Sequence, residues 1–319
     1  MLKGRSWLTL LAPHPFFRRR DDAQPKRYRR WAVRISASLT MLISACLASS
    51  DALAVLSSAG SWSGSVGVSV DGIGSNTSPV GTVQAVIPVG STILSAYLYS
   101  TSRSSPSTLA EFNSEGITLA GQSVTFTHLI SNSTAWNFFV ARADVTSLVR
   151  TLTANATTSN FNWTVTEGAR NANIDGEILA IVYSHPNLPP ASVAFFDGGL
   201  STTGETAVMS LGAAAMNPAS AAFRGELGVA ISFSCCNQLS TISINGSTIS
   251  NFAGNFDDGL SQANGALITV GGVGDPAVSN PANYDSDHEL YDLRSYIRTG
   301  DRSVTIFAQN PTNDDNLFF

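Results

Sequence analysis

Hydrophobic and polar residues alternate in short runs along the chain after residue 55. The alternation is regular over residues 122–129, 161–166 and 240–244. A period of two places one face of a β-strand in the interior and the other in water. Asn245 and Gly246 follow the third run, and both residue types accept positive φ, so this pair predicts a tight hairpin turn. The runs themselves predict strands that are half buried.

Three further runs are almost wholly apolar, at residues 93–99, 178–183 and 266–270. Continuous apolar strands are typical of the centre of a fold, where both faces of a sheet are covered. A short helix is predicted only over residues 144–149, with Asp144 accepting hydrogen bonds from the free N–H groups of the first turn. Many short strands separated by turn residues predict an all-β fold. We expect an antiparallel β-sandwich of the jelly-roll type with few short helical turns.

The first 54 residues have the pattern of a basic leader that ends in a signal peptide. Every Lys and Arg of this segment precedes residue 35, residues 35–47 carry no charge, and Ala52-Leu53-Ala54 has the A-x-A form of a cleavage site. The uncharged stretch is shorter than the ~20 apolar residues that a membrane-spanning helix needs. We therefore expect export, cleavage after Ala54, and a mature protein without a membrane span that is secreted or held at the cell surface.

Cys46 offers an alternative end to the leader. The tetrad Ile43-Ser44-Ala45-Cys46 suits a bacterial lipoprotein signal, in which Cys46 would become the lipidated first residue. Residues 55–319 are expected to form one extracellular β-sandwich domain. Because the sequence stops on the apolar residues Leu317-Phe318-Phe319, we expect this domain to lack its final strand or a downstream region.

The net charge changes sign between the leader and the domain. From Val55 onward there are 8 Arg and 20 Asp plus Glu, a balance of 8 − 20 = −12, against −5 for the whole chain. Nucleic-acid binding needs clustered Lys and Arg, so this composition argues against it. An acidic domain favours solubility and the binding of cations.

Six acidic residues towards the end of the chain form a candidate calcium site. They are Asp285, Asp287, Glu289, Asp292, Asp314 and Asp315. Alternate residues of an extended segment point the same way, so the first three could present carboxylates together, with Asp314 and Asp315 as a second arm. A structural Ca²⁺, which takes oxygen ligands, would relieve their mutual repulsion. Two other interpretations are open: solvated loop charges, and a catalytic carboxyl pair drawn from Asp287, Glu289 and Asp315.

The cysteines and tryptophans of the domain leave further alternatives. Cys235 and Cys236 form either a disulfide between sequence neighbours or two free thiols. Trp136 and Trp163 lie in apolar or alternating segments and are expected in the core. Trp62 is the best candidate for an exposed aromatic ring that stacks on a sugar.

Several segments together resemble a family of uncharacterised bacterial extracellular domains, found at the N-terminal end of surface proteins or of proteins with a sorting tail. The similar segments are residues 87–93, 96–99, 143–149, 175–183, 188–189, 287–293 and 310–316. The resemblance implies a jelly-roll-like sandwich and a surface location, and it implies no catalytic residues.

Export, an all-β fold and the lack of a convincing catalytic motif lead to one expectation of function. We expect a non-catalytic module in adhesion, surface architecture or matrix, whose partner is a surface glycan or another component of the extracellular matrix. The alternative is a secreted protein that binds or hydrolyses glycans. Hydrolysis would require two carboxyls at a fixed separation, one with a raised pKa.

Overall fold

The computed structural model describes residues 56–74, 78–132, 137–168, 174–211, 216–233, 240–254, 268–311 and 316–318. Two of the three alternating runs, at residues 161–166 and 240–244, form continuous strands in it. In chain order the strands are β1 (Ser57–Gly64), β2 (Val66–Ile73), β3 (Val80–Val86), β4 (Thr92–Arg103), β5 (Thr118–Leu119), β6 (Gln122–Ser123), β7 (His128–Asn132), β8 (Phe138–Asp144), β9 (Asn160–Thr166), β10 (Ile174–Ser184), β11 (Ala191–Asp197), β12 (Glu205–Ser210), β13 (Glu226–Gly228), β14 (Ala230–Ser232), β15 (Ser240–Ile244), β16 (Ser247–Ala253), β17 (Thr269–Val270), β18 (Leu290–Asp292), β19 (Ser303–Gln309) and β20 (Asn316–Phe318). The helices are α1 (Leu109–Ser114) and α2 (Thr146–Thr153).

The strands form three larger sheets and three small ones. The central sheet has the order β2-β10-β4-β8-β7, the outer sheet β3-β9-β5-β6, and the C-terminal sheet β12-β19-β15-β16. The small sheets are β1-β11, β13-β18 and β17-β14-β20. Every ladder between these strands is antiparallel. The prediction of an all-β antiparallel sandwich is confirmed, and the jelly-roll order of strands stays a prediction.

The central sheet is buried on both faces. On one face, Leu98 of β4 and Leu179 of β10 pack in a core with Val83 and Trp163 of the outer sheet. On the opposite face, Tyr99, Val140, Ile178, Ala180 and Val182 pack against Phe195, Ala230 and Val270. The two apolar runs at residues 93–99 and 178–183 are therefore central strands, as predicted.

The second half of the domain has its own core on the C-terminal sheet. Most of its members come from β15, β16 and β19 together with the short pair β13-β18, and they include Ile242, Ile249, Tyr291, Val304 and Ile306. Hydrophobic burial is the dominant favourable contribution to folding, at about 25 cal/mol per Å². This core therefore supports the segment that carries the acidic residues of interest.

The hairpin is confirmed, and the helix predicted at residues 144–149 is present but covers Thr146–Thr153. Asn245 and Gly246 have φ of 50° and 80° and join β15 to β16, with Ile244 opposite Ser247. Helix α2 begins at Thr146, whose N–H donates to the Asp144 carboxylate at 2.9 Å. None of the helices in the described segments is long and apolar enough to span a bilayer.

Two local predictions were wrong. Residues 122–129 do not form one strand, because the Asn113 side chain makes both backbone hydrogen bonds of Phe126, accepting from its N–H at 2.7 Å and donating to its C=O at 3.0 Å. These bonds replace a strand ladder. A helix α1 also exists, capped reciprocally by Thr108 and Glu111, and this capping box was readable as Thr-x-x-Glu in the sequence.

The edges of the central and outer sheets are joined by side chains. The Ser69 hydroxyl on β2 accepts from the Val86 N–H on β3 at 3.0 Å, and the Asp71 carboxylate accepts from the Gln84 N–H. These acceptors satisfy N–H groups of an edge strand that could otherwise pair with another chain. Burial raises the pKa of Asp71 to about 7, although the hydrogen bond from Gln84 opposes the rise.

Candidate functional site

The acidic segment that the sequence singled out is folded inward rather than extended. Asp285 lies exposed in a 3₁₀ turn over Tyr284–Ser286, whereas Asp287 and Glu289 are each 0 % exposed. Glu289 has φ of +54°, so the backbone leaves the extended conformation at this residue. Asp285, Asp287 and Glu289 therefore do not present their carboxylates to one side, as the alternation suggested.

Asp287 is held by three donors. Its Oδ1 atom accepts from the Glu289 N–H at 3.1 Å and from the Tyr291 hydroxyl at 2.9 Å, and its Oδ2 atom accepts from the Ser250 hydroxyl. Burial raises the pKa of Asp287, while these hydrogen bonds favour its ionised form. The carboxylate thus connects the acidic segment to β16 and β18.

Glu289 makes a second set of connections inside the domain. Its Oε1 atom accepts from the Gly254 N–H at 2.9 Å, and its Oε2 atom accepts from the Thr269 hydroxyl at 2.6 Å. Its backbone carbonyl accepts from the Val229 N–H at 2.9 Å. Glu289 therefore links β16, β17 and the junction between β13 and β14. Its role in these contacts is structural.

Asp292 is at the surface and is paired with a cation. Arg294 Nε donates to both of its oxygens, at 2.8 Å and 3.0 Å, and the Arg294 N–H donates to Oδ1 at 3.0 Å. The hydrogen bonds from Arg294 lower the pKa of Asp292. This carboxylate is therefore directed towards Arg294 and not towards Asp287 or Glu289.

The structure places four of the six predicted calcium ligands, because Asp314 and Asp315 lie outside the described residues. Among the residues that are described, no three His, Cys, Asp or Glu side chains form a group that could hold a metal ion. Asp287 and Glu289 would have to give up internal hydrogen bonds to coordinate calcium, so the site stays a prediction.

Calcium binding can be measured directly by thermal unfolding. If a calcium site exists, addition of a chelator to the purified protein should lower the melting temperature and excess Ca²⁺ should restore it, since a ligand that binds only the folded state stabilises it. Magnesium at the same concentration is the control. Melting curves that superimpose in chelator and in Ca²⁺ would remove the site.

A second pair of buried acids lies on β10 of the central sheet. Asp175 is 1 % exposed and accepts from the Phe233 N–H at 2.7 Å. Glu177 is 0 % exposed; its Oε1 atom accepts from the Ser100 hydroxyl at 3.0 Å, and its Oε2 atom is buried without a hydrogen-bond partner. The strand register shifts between Ile174 and Gly176, beside these two acids.

Burial sets the protonation of this pair. It raises the pKa of Asp175 to about 7 against the hydrogen bond from Phe233, and it raises the pKa of Glu177 to about 8 against the hydrogen bond from Ser100. The charge of Asp175 raises the pKa of Glu177 further. Sequence reasoning missed both residues, although Asp175-Gly176-Glu177 directly precedes the apolar run 178–183. The sequence did contain a signal for buried acids, namely two acidic residues at the start of a predicted central strand.

A buried ion pair lies on the face of the central sheet that carries Tyr99. The Asp197 carboxylate accepts from Arg142 and, at 3.1 Å, from the Tyr99 hydroxyl, with side-chain exposures of 19 % for Arg142 and 1 % for Asp197. The Arg142 guanidinium also lies 5.1 Å from the centre of the Tyr97 ring. Burial, followed by the charge of Asp197, raises the pKa of Tyr99. This network attaches β11 to the central sheet.

None of these carboxyls lines the surface depression beside α2. That depression has a volume of about 400 Å³ and is lined by residues that include Val89, Ser91, Arg150 and Thr153. The Arg150 side chain donates from Nε to the Ile93 carbonyl at 2.9 Å. A pair of carboxyls facing a cleft is the geometry that hydrolysis of a glycan requires, and this depression does not contain one.

Trp163 lies in the core as expected, whereas Trp62 is less exposed than expected. Trp163 is buried and stacks on Phe161 with ring centres 5.2 Å apart. Trp62 is half-buried, and its ring and the Phe195 ring meet in a T-shaped arrangement with centres 5.4 Å apart. Trp136, Cys235, Cys236, Cys46 and the cleavage site after Ala54 lie outside the described residues.

Comparison with protein-family models, with curated proteins and with solved structures found no match to this chain.

Proposed function

We propose that this chain is an exported, non-catalytic β-sandwich module that acts at the cell surface or in the extracellular matrix. One observation carries the proposal: Asp287 and Glu289, which lie in the densest acidic segment, are fully buried and accept hydrogen bonds from Ser250, Tyr291, Gly254 and Thr269. Buried carboxylates with these hydrogen bonds stabilise the fold, and a polymeric substrate cannot contact them.

The charge pattern supports export of the module. A basic leader with an uncharged stretch and an A-x-A end precedes a domain whose balance of Arg against Asp plus Glu is 8 − 20 = −12. The mature domain has no lysine. Release after Ala54 and attachment through lipidated Cys46 both lead to the outside of the cytoplasmic membrane.

The N-terminus of the mature protein tests this proposal. The full-length chain is expressed in a bacterium that exports proteins, and the masses of the N-terminal peptides are measured in each cell fraction. We expect a peptide that begins at Val55. A diacylglyceryl group on Cys46 would replace release by anchoring, and an intact Met1 in the cytoplasm would overturn the proposal.

A further inference from the structure

We propose that the surface depression beside α2 binds the carboxylate of a small organic acid through Arg150. The depression has a volume of about 400 Å³ and is lined by residues of β4, of α2 and of the loops next to them. Ligand sites in proteins begin at roughly 300 Å³, so its size suits a small molecule. The site goes beyond the proposed function, since it requires neither export nor a matrix partner.

The Arg150 side chain is fixed against the start of β4. Strand β8 pairs with β4 only over Tyr97–Arg103, so the carbonyls of Ile93 and Leu94 lie beyond the end of that ladder. Arg150 Nε donates to the Ile93 carbonyl at 2.9 Å, and Nη2 donates to the Leu94 carbonyl at 3.4 Å. These two bonds hold the guanidinium in one orientation beside the depression.

The bonds to β4 leave the far end of the guanidinium available. Arginine carries five N–H donors in a planar fork, and here one on Nε and one on Nη2 are used. The other three donate to no residue that the structure describes. Nη1 and Nη2 therefore present two parallel donors, the geometry that binds both oxygens of one carboxylate.

Arg150 also lacks a counter-ion within the described segments, unlike Arg142 and Arg294. Its side chain is exposed, and no acid is among the residues that line the depression. The domain has a balance of −12, but at physiological ionic strength charges further away than ~8 Å are largely screened. A small anion in the depression is therefore attracted by the guanidinium more strongly than it is repelled by acids elsewhere.

The other lining residues indicate what the acid carries besides its carboxylate. The Ser91 hydroxyl oxygen is shielded from water and has no hydrogen-bond partner among the described residues. No bond holds it, so rotation about χ1 can turn it towards a ligand. Val89, 47 % exposed, and Ala156 offer apolar contact. A short carbon skeleton with one carboxylate and a hydroxyl group, as in a hydroxy acid or a uronic acid, matches this set.

A phosphate fits the depression less well than a carboxylate. Phosphate sites use several converging donors, such as the free N–H groups at a helix N-terminus. This depression borders the C-terminal end of α2, where the free carbonyls carry partial negative charge. The Thr153 hydroxyl donates to the Val149 carbonyl at 2.8 Å and offsets part of that charge. A monoanion that meets one guanidinium is the anion least opposed here.

The test is isothermal titration calorimetry of the purified full-length chain with lactate, glucuronate and inorganic phosphate. We expect lactate or glucuronate to bind with a dissociation constant of about 1 mM or below, and phosphate to bind at least about tenfold more weakly. An oligosaccharide that ends in glucuronate separates two sources of the carboxylate. Tighter binding than that of free glucuronate assigns the site to the end of a glycan, and weaker binding assigns it to a free acid.

A matched pair of variants tests the site without altering Arg150. Ala154 is exposed at the end of α2, four positions after Arg150, so its side chain lies next to the guanidinium. Ala154→Glu supplies an internal carboxylate and should weaken ligand binding by roughly tenfold or more. Ala154→Gln has the same size without the charge and should stay within about threefold of the wild type. Neither variant removes a bond to β4, so both should melt at the wild-type temperature.

A second pair tests the guanidinium itself. Arg150→Gln should abolish measurable binding, whereas Arg298→Gln, at an exposed arginine outside the depression, should leave it unchanged. The inference would be overturned by a lack of binding to every carboxylate, by equal binding of Ala154→Glu and Ala154→Gln, or by phosphate binding as tight as that of the carboxylates. None of these results changes the mass of the N-terminal peptide, so the site and the proposed function can fail separately.

Discussion

Asp197→Ala is expected to lower the free energy of unfolding by about 3–5 kcal/mol, the range for removal of one partner from a buried ion pair. The substitution leaves the Arg142 guanidinium half-buried without its carboxylate, and it takes from the buried Tyr99 hydroxyl the acceptor at 3.1 Å. Both groups then lose the carboxylate that offsets their desolvation, and only the hydrogen bond between Arg142 and Tyr99 remains. Chemical denaturation of the two proteins in the same buffer measures the difference.

A surface ion pair of the same type is the control. Asp292 binds Arg294 with comparable hydrogen bonds, but the Arg294 side chain is 57 % exposed. Asp292→Ala should lower the free energy of unfolding far less than Asp197→Ala does, since water and salt screen exposed pairs. Equal effects of Asp197→Ala and Asp292→Ala would contradict the role assigned to the buried network.

Stability is expected to fall as pH rises from about 4.5 to about 8, by several kcal/mol, because Asp175 and Glu177 ionise less readily in the folded protein than in the unfolded chain. The folded pKa of Glu177 is about 8, against an ordinary value of 4.5. Below 4.5 the carboxyl is protonated in both states, and its stabilising contribution is fully present. Between the two values the unfolded chain releases the proton that the folded protein keeps, so the free energy of unfolding declines.

The Glu177→Gln variant should remove part of this decline. The glutamine cannot ionise, and its side-chain oxygen can still accept from the Ser100 hydroxyl. The variant should therefore be more stable than the wild type at pH 8.5 and close to it at pH 4. Asp285→Asn, at an exposed site, is the control and should follow the wild-type curve. A Glu177→Gln curve parallel to that of the wild type would show that Glu177 does not carry the effect.

The fold was predictable where the signal is local. Asn245 and Gly246 are adjacent in the sequence and form the hairpin with positive φ that both residue types tolerate. The apolar run 178–183 is long enough to require cover on both faces, and β10 is buried along nearly its whole length. In each case a few consecutive residues determine the local structure.

Apart from helix α1, whose capping box is local, prediction failed where a distant side chain decides the outcome. The break near Phe126 depends on Asn113, and the inward direction of Asp287 depends on Ser250, which lies 37 positions away along the chain. Glu177 meets Ser100 across 77 positions. Periodicity shows which residues of a single strand share a face. It therefore could not tell which acidic residues are buried by other parts of the chain and which are solvated.

The central claim, that this is a module whose acids support the fold rather than catalysis, is tested most directly by glycan turnover with wild type and Glu289→Gln. Neutral polysaccharides are incubated with each protein, and released reducing ends are counted. We predict no turnover by either protein, together with a lower melting temperature for Glu289→Gln. The glutamine keeps only one of the two oxygens that accept from the Gly254 N–H and the Thr269 hydroxyl, and its NH2 group cannot accept from the other donor. Turnover by the wild type that Glu289→Gln abolishes at an unchanged melting temperature would contradict the account.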